Sequence, residues 1–490
     1  MQSQIRRMGF GLLIAFLLVF AQLNYVQFFA ADRIASNRAN PRALIREYAI
    51  KRGDILSLDG EKVATSVATK DRLKYRRSYP MGELFGQITG YYSVNYGTAG
   101  IESSYNDQLL GDSGTVSIQD IQDRFSDTEE QGNRVRLTVD SRLQTIAKDA
   151  LGDQRGAIVA LDPTSGEVRA LWSNPSYDPT PLGSHDSKEQ KKYWNSLDPT
   201  SSTSPLIDLG TQQGYPPGST FKVVTLSAGL DSGRYNPRST FPDPAVLEPC
   251  STNGGDPPRD CIPQTNQPFR NFSHTTCAGG GDIDLTTALI VSCDTTFAIM
   301  GMEIPDEVYD TANRFGFNEA IPFDVRTEAS RVAKPDPDNV PFEAYGAIGQ
   351  GDTVATPLQM ALVAAGVANG GDVPKPRLVR EIIDPSGGIV DRPSPESLGS
   401  AMSPETAEQV KQMMIGVVRS GTGTAAQIPG IDVAGKTGTA QTVKGANPHT
   451  WFICFAPADD PQLAVAVIVE HGGSFGSEAT GGAVAAPIAR

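Results

Sequence analysis

The 490-residue sequence predicts an α+β protein: an antiparallel sheet flanked by helices, with a smaller N-terminal module and one apolar segment ahead of both. Three observations carry this. Strand-like runs occur at residues 156–161 and 168–173 and again at 431–441, 451–456 and 463–470. Helical periodicity dominates the interval from Ser219 to about Gly370, so the sheet is closed by segments far apart in sequence. One long apolar stretch, Gly9 to Ala31, stands near the N-terminus.

That stretch is strictly apolar from Phe10 to Ala21 and is then interrupted by Gln22, Asn24 and Gln27. At about 1.5 Å per residue it crosses a hydrocarbon layer of roughly 30 Å with some tilt. Arg6 and Arg7 precede it, and Arg33, Arg38, Arg42 and Arg46 follow. The expectation is an uncleaved signal anchor over 9–31, a cytoplasmic tail over 1–8 and the bulk of the chain outside the membrane; a cleaved signal peptide is the alternative.

Residues 32–145 read as a small α/β module punctuated by Arg52-Gly53-Asp54-Ile55, Asp59-Gly60 and Tyr96-Gly97-Thr98-Ala99-Gly100. Glu102 is read there as a structural carboxylate rather than a catalytic acid. Val135 to Asp140 suggests a strand, and Ser141 starts a helix. Residues 146–490 form the main domain. Its first hairpin turns through Asp162-Pro163-Thr164-Ser165-Gly166. A helix over Leu285–Val291 should stop at Ser292, Thr356-Pro357 should start another, and Ser403-Pro404-Glu405 opens a helix to Val418.

A net charge of −14 and a pI near 4.9 argue against a nucleic-acid partner. Four His residues show no metal-ligand spacing and no Cys pair reads C-x-x-C, so neither a metal nor another cofactor is expected. Cys250, Cys261, Cys277 and Cys293 crowd one Gly/Pro/Asn-rich segment that a staple would steady, and Cys454 stands apart. The expected disulfide joins Cys277 to Cys293, against the alternative of reduced thiols; sequence does not fix the connectivity.

The chemistry starts at Ser219-Thr220-Phe221-Lys222, introduced by Tyr215-Pro216-Pro217-Gly218. If Ser219 opens a helix, Lys222 lies on the same face, which pairs a nucleophile with a base. Ser292-Cys293-Asp294 follows, and then Lys436-Thr437-Gly438 within a strand that continues Thr439-Ala440-Gln441. In this order the three elements resemble the S-x-x-K, S-x-N and K-T-G signature of penicillin-recognising serine enzymes. Together with Gly349-Gln350-Gly351, Thr356 to Ala361 and Ala479-Thr480-Gly481-Gly482, nearly the whole chain resembles class B penicillin-binding proteins.

The resemblance implies a penicillin-binding transpeptidase (serine β-lactamase-like) fold and a D,D-transpeptidase that cross-links peptidoglycan stem peptides, with β-lactams as covalent inhibitors and a role in cell-wall synthesis and division. Ser219 would attack, a neutral Lys222 would take its proton beside a cationic Lys436, and Ser292 would relay a proton to the departing D-Ala. Backbone N–H groups of Ser219 and Thr439 would form the oxyanion hole. Thr437 and Thr439 would hold the terminal carboxylate with Lys436, and Gly438 would leave room for substrate along the strand. The N-terminal module would be non-catalytic, and a separate SEDS-type membrane glycan polymerase and division proteins would be partners.

Two departures carry expectations. Asp294 replaces the family's Asn; a carboxylate only accepts hydrogen bonds and favours protonated Lys222, which predicts that Asp294→Asn keeps or raises acylation. The chain stops at Arg490 where relatives continue into a terminal helix, which predicts a sheet lacking a covering element there. A β-lactamase would need a deacylating carboxylate, and the surroundings of Glu328 do not supply one. The remaining alternatives are an impaired β-lactam sensor and a division scaffold. His449 and His471 are read as structural, and the absence of a G-x-S-x-G elbow at Ser219 removes an esterase.

Overall fold

The computed structural model describes residues 2–25, 45, 47–111, 131–251, 258–441 and 445–490. Helix α1, Gln2–Asn24, contains a span from Arg6 to Asn24 with mean hydropathy 1.6, long and apolar enough to cross a membrane as an anchor or a signal sequence. The end of the predicted 9–31 span lies outside the described residues.

Two sheets organise the remainder. The central one runs in the order β9 (Ala434–Ala440), β10 (His449–Ala456), β11 (Leu463–Val469), β5 (Gly156–Leu161), β6 (Val168–Asn174), antiparallel throughout. Every residue of β5 is buried, as a wholly apolar strand inside a three-layer domain should be. Along β10 the pleat sends Trp451, Ile453 and Phe455 to one core and Phe452 and Cys454 to another. The first core holds α6 (Pro357–Ala368) and most of α7 (Pro404–Ser420). The second is closed by α2 (Ser141–Leu151) and α8 (Ala485–Ala489). The expected gap in the sheet's cover is therefore filled, since Ala485 and Ala486 are small enough to bring the short α8 flat against β10 and β11.

The second sheet runs β8 (Ile389–Asp391), β7 (Val379–Ile383), β4 (Arg134–Leu137), β1 (Ile55–Leu56), β2 (Lys62–Ala68), β3 (Tyr75–Ser78). Its last four strands belong to the N-terminal module, whereas β7 and β8 return from between α6 and α7. Val379 pairs with Leu137 and Ile383 with Arg134. Beneath it Glu102 is 0 % exposed and receives Arg52 at 2.6 Å and Arg77 at 2.5 Å. Burial works to raise the Glu102 pKa, but the two guanidiniums outweigh it and hold the carboxyl below its usual range. Glu102 is structural, as its sequence context suggests.

The helical reading of 219–370 is corrected between its helices. Short strands at Thr240–Pro242, Val246–Cys250, Cys261–Pro263, Phe269–Arg270 and Asp282–Asp284 interrupt it. This stretch is rich in Pro, Gly and Asn, which disfavour helix and suit turns. Cys250 is bonded to Cys261 and Cys277 to Cys293, and Cys454 is a buried free thiol.

Candidate active site

Ser219 does not open the helix. It sits in a 3-10 turn, Gly218–Thr220, and α3 starts at Lys222 and runs to Asp231. The reason is local: Gly218 has φ +54°, which breaks helical geometry, and Thr220 Oγ1 donates back to the Pro217 carbonyl at 2.7 Å. The turn is clamped from three sides. Trp451 Nε1, in β10, donates to the Pro216 carbonyl at 2.9 Å, and the Gly218 N–H donates to the Gly349 carbonyl at 2.9 Å. On the third side β9 passes so close that an ideal Cβ on Gly438 would lie 2.8 Å from the Pro217 oxygen. On its Cβ side the space left by Gly438 is thus taken by the nucleophile's own turn.

Helix α4, Leu285–Val291, stops at Ser292 because that residue takes φ 65°, ψ 45°, and Asp294 then starts α5, Asp294–Glu303. The reversal turns the Ser292 hydroxyl between two amines, 3.3 Å from Lys222 Nζ and 2.8 Å from Lys436 Nζ. Lys222 Nζ also donates to the Ser292 carbonyl at 2.9 Å and to Asp294 Oδ1 at 2.6 Å, while Lys436 Nζ donates to the Thr437 carbonyl at 3.0 Å. Both lysines are 0 % exposed.

Burial alone lowers the pKa of both amines, because the charged form loses its water. For Lys222 the Asp294 carboxylate offsets part of this, and the amine still stays below its ordinary range. For Lys436 the charge of Lys222 adds to burial, Asp294 offsets only part of it, and the amine falls well below the ordinary lysine range. The Asp294 carboxylate, 2.6 Å from Lys222, favours the state with Lys222 charged and Lys436 neutral over its reverse. Which amine is nearer the carboxylate is a tertiary fact that the sequence does not carry. The two states differ by one proton passed through Ser292.

Ser219, Ser292, Asp294, Thr437 and Thr439 line one cleft of about 890 Å³. Thr437 Oγ1 lies 2.7 Å from Thr422 Oγ1, and Thr439 Oγ1 accepts from the Gly481 N–H at 3.2 Å, so the hydroxyls are oriented by protein groups at the cleft wall. Among the described residues Ser219 Oγ makes no hydrogen bond, as suits a nucleophile open to a ligand. A groove of about 750 Å³ beside the end of α7 contains none of these residues. Glu328 is exposed and outside the cleft. His449 is buried and pushed down to about 4, first by burial and then by His471, and its Nδ1 accepts the His471 N–H at 3.1 Å. Among the described residues the one cluster of metal-ligand type, Asp243 with Cys277 and Cys293, has both sulfurs consumed in a disulfide.

Sequence reasoning gave no site role to Trp451, Gly349, Thr422 or Phe272. The first three carried the signal of lying in or beside recognised elements, whereas nothing marked Phe272, whose backbone N–H donates to Asp294 Oδ2 at 2.9 Å.

Comparison with known proteins agrees with this geometry. The penicillin binding protein transpeptidase domain family matches residues 156–490, and the penicillin binding protein A dimerisation domain family matches residues 52–135. The chain is 35% identical over 504 residues to the peptidoglycan D,D-transpeptidase PbpA of Mycolicibacterium smegmatis, covering 100% of this chain and 98% of that protein. It is 33% identical over 500 residues to PbpA of Mycobacterium tuberculosis, with the same coverage. The solved structure of the ceftriaxone acyl-enzyme complex of penicillin-binding protein A from M. tuberculosis superposes with a TM-score of 0.84 at 33% identity, covering 91% of this chain and 98% of that one. With its nucleophile turn, its shared serine between two buried lysines and these full-length likenesses, the chain belongs to the penicillin-binding protein transpeptidase family.

Proposed function

We propose that the cleft forms an acyl-enzyme on Ser219 from the D-Ala-D-Ala end of a peptidoglycan stem peptide and passes the acyl group to an amine of a second stem. The chain is a peptidoglycan D,D-transpeptidase of cell-wall synthesis. The observation that carries the mechanism is Ser292 Oγ between Lys222 and Lys436. A proton moves from Lys222 through Ser292 to Lys436, and neutral Lys222 then removes the Ser219 proton as Oγ bonds to the penultimate D-Ala carbonyl carbon. Backbone N–H groups of Ser219 and Thr439 support the oxyanion. The C–N bond breaks, the departing D-Ala nitrogen takes a proton from the Lys–Ser–Lys chain, and the reverse sequence lets the acceptor amine displace Ser219. A β-lactam follows the first half and stays bound, because its leaving group remains attached.

Helix α1 serves as a single-pass membrane anchor, with residues 1–8 cytoplasmic and the catalytic domain, from about residue 146, outside the membrane. Residues 32–145 hold that domain away from the bilayer. A SEDS-type glycan polymerase and division proteins are the partners this organisation suits, since no paired-carboxylate motif for glycan polymerisation lies between anchor and catalytic domain. A second reading, an impaired sensor or division scaffold, is favoured by the 2.6 Å pairing of Asp294 with Lys222, which works against release of the base's proton. Fluorescent penicillin separates the two: wild type labels stoichiometrically and turns over stem-peptide donors, whereas Ser219→Ala does neither. A wild type that labels without cross-linking any donor–acceptor pair supports the sensor.

A further inference from the structure

The Asp294 carboxylate has a second partner that catalysis does not use. While Oδ1 holds Lys222, Oδ2 accepts the backbone N–H of Phe272 at 2.9 Å. Phe272 belongs to the segment 271–277, which forms one wall of the Ser219 cleft. The same segment is tied to the same motif twice more. Asn271 Oδ1 accepts the Thr295 N–H at 2.9 Å, and Cys277 is bonded to Cys293. The Phe272 ring is 54% exposed although it lines a cleft, and Tyr345 and Val291, 39% and 38% exposed, line it too. Large apolar side chains left in water inside a ligand cleft mark the place where a ligand's apolar part is buried.

We propose that Asp294 is a positioning residue for acyl-donor specificity: by latching the Phe272 N–H it fixes the 271–277 segment so that the Phe272 ring packs on the acyl side of the bound donor, a methylene chain of a stem peptide or the aromatic acyl group of a penicillin. The inference rests on the acyl-enzyme reading of Ser219. A carboxylate suits both duties because it accepts from two donors at once. An amide accepts through one atom only, so an Asn at this position keeps the latch only while Lys222 is neutral and accepts its N–H.

The test compares acylation rate constants for benzylpenicillin and 6-aminopenicillanic acid, which share the ring system and differ in the aromatic acyl group. Their ratio isolates the wall, because a damaged base slows both compounds alike. In Phe272→Ala the ratio falls about tenfold, the scale of losing one ring contact in an apolar site. Asp294→Ala lowers the ratio in the same direction while also changing the 6-aminopenicillanic acid rate, and in the Phe272→Ala background it leaves the ratio unmoved. Asn271→Ala cuts a different tie of the same segment, leaves Lys222 its carboxylate and lowers the ratio as well. A wild-type ratio in both Asp294→Ala and Asn271→Ala overturns the latch. If Asp294→Ala yields no folded protein, Asn271→Ala decides by itself. Failure of wild type to acylate with either compound sinks the Ser219 reading instead.

Discussion

Replacing Ser292 by Ala removes one oxygen from between two amines. Lys222 Nζ keeps the Ser292 carbonyl and Asp294, and Lys436 Nζ keeps the Thr437 carbonyl, so neither lysine is released from its place. Two hydrogen bonds worth about 1 kcal/mol each net are lost, and the stability change is on the order of 1–2 kcal/mol. The proton path between the amines is lost altogether. Positioned acid–base groups contribute about 10²–10⁴-fold, and at about 1.36 kcal/mol per decade that is about 2.7–5.4 kcal/mol of barrier. A small change in stability beside a large one in rate is therefore the signature. Ser292 sits at φ 65°, where Ala is as strained as Ser, so Ser292→Gly provides a control that relaxes the backbone while still removing the hydroxyl. Stopped-flow acylation by a fluorescent penicillin, with urea unfolding in parallel, measures both quantities. If both variants acylate within about tenfold of wild type, below the range for such groups, Ser292 does not join the two lysines and the relay is wrong.

Four further outcomes follow. Acylation should rise with pH along an acidic limb below the ordinary lysine range, because protons are taken up by Lys436, lowered by burial and by Lys222, and loading both amines stops the transfer; a limb at the ordinary lysine value refutes this. Gly438→Ala must push β9 away from the Pro217 carbonyl, and labelling of Ser219 should fall by at least about tenfold while α1 and the N-terminal sheet are untouched; unchanged labelling would show that the turn can give way. Glu102→Gln leaves Arg52 and Arg77 buried with too little negative charge, and unfolding of the N-terminal module should be easier by about 3–5 kcal/mol, read from urea curves against wild type. In denaturant without reductant one thiol, Cys454, should react, and after reduction all five; more than one before reduction removes a disulfide.

Much of the active site was legible because its parts are local. Ser219 and Lys222 are three residues apart, the stop of α4 at Ser292 follows an apolar run, and Lys436 to Thr439 lie on one strand. The hairpin β5–β6 announced itself by two apolar runs around an Asp-Pro turn. What stayed hidden depends on which distant groups meet. Which of the two buried lysines better keeps a proton depends on a carboxylate 2.6 Å from one of them. The Phe272 latch involves a backbone N–H, which every non-proline residue carries, so no side-chain pattern announces it. Strands β7 and β8 carry little sequence signal because each is short and draws its stability from its neighbour, β7 from pairing with β4 and β8 from pairing with β7.

That pairing makes the familiar two-bead description of such chains misleading. Severing the polypeptide near residue 145, as one would to isolate the catalytic half, strips β7 of the neighbour that runs from Arg134 to Leu137 and bares a row of amides and carbonyls along Val379 to Ile383. An uncovered edge of that kind invites self-association. The soluble fragment worth making begins upstream of β1, so that the pedestal and the enzyme it carries are kept as a single interlaced piece.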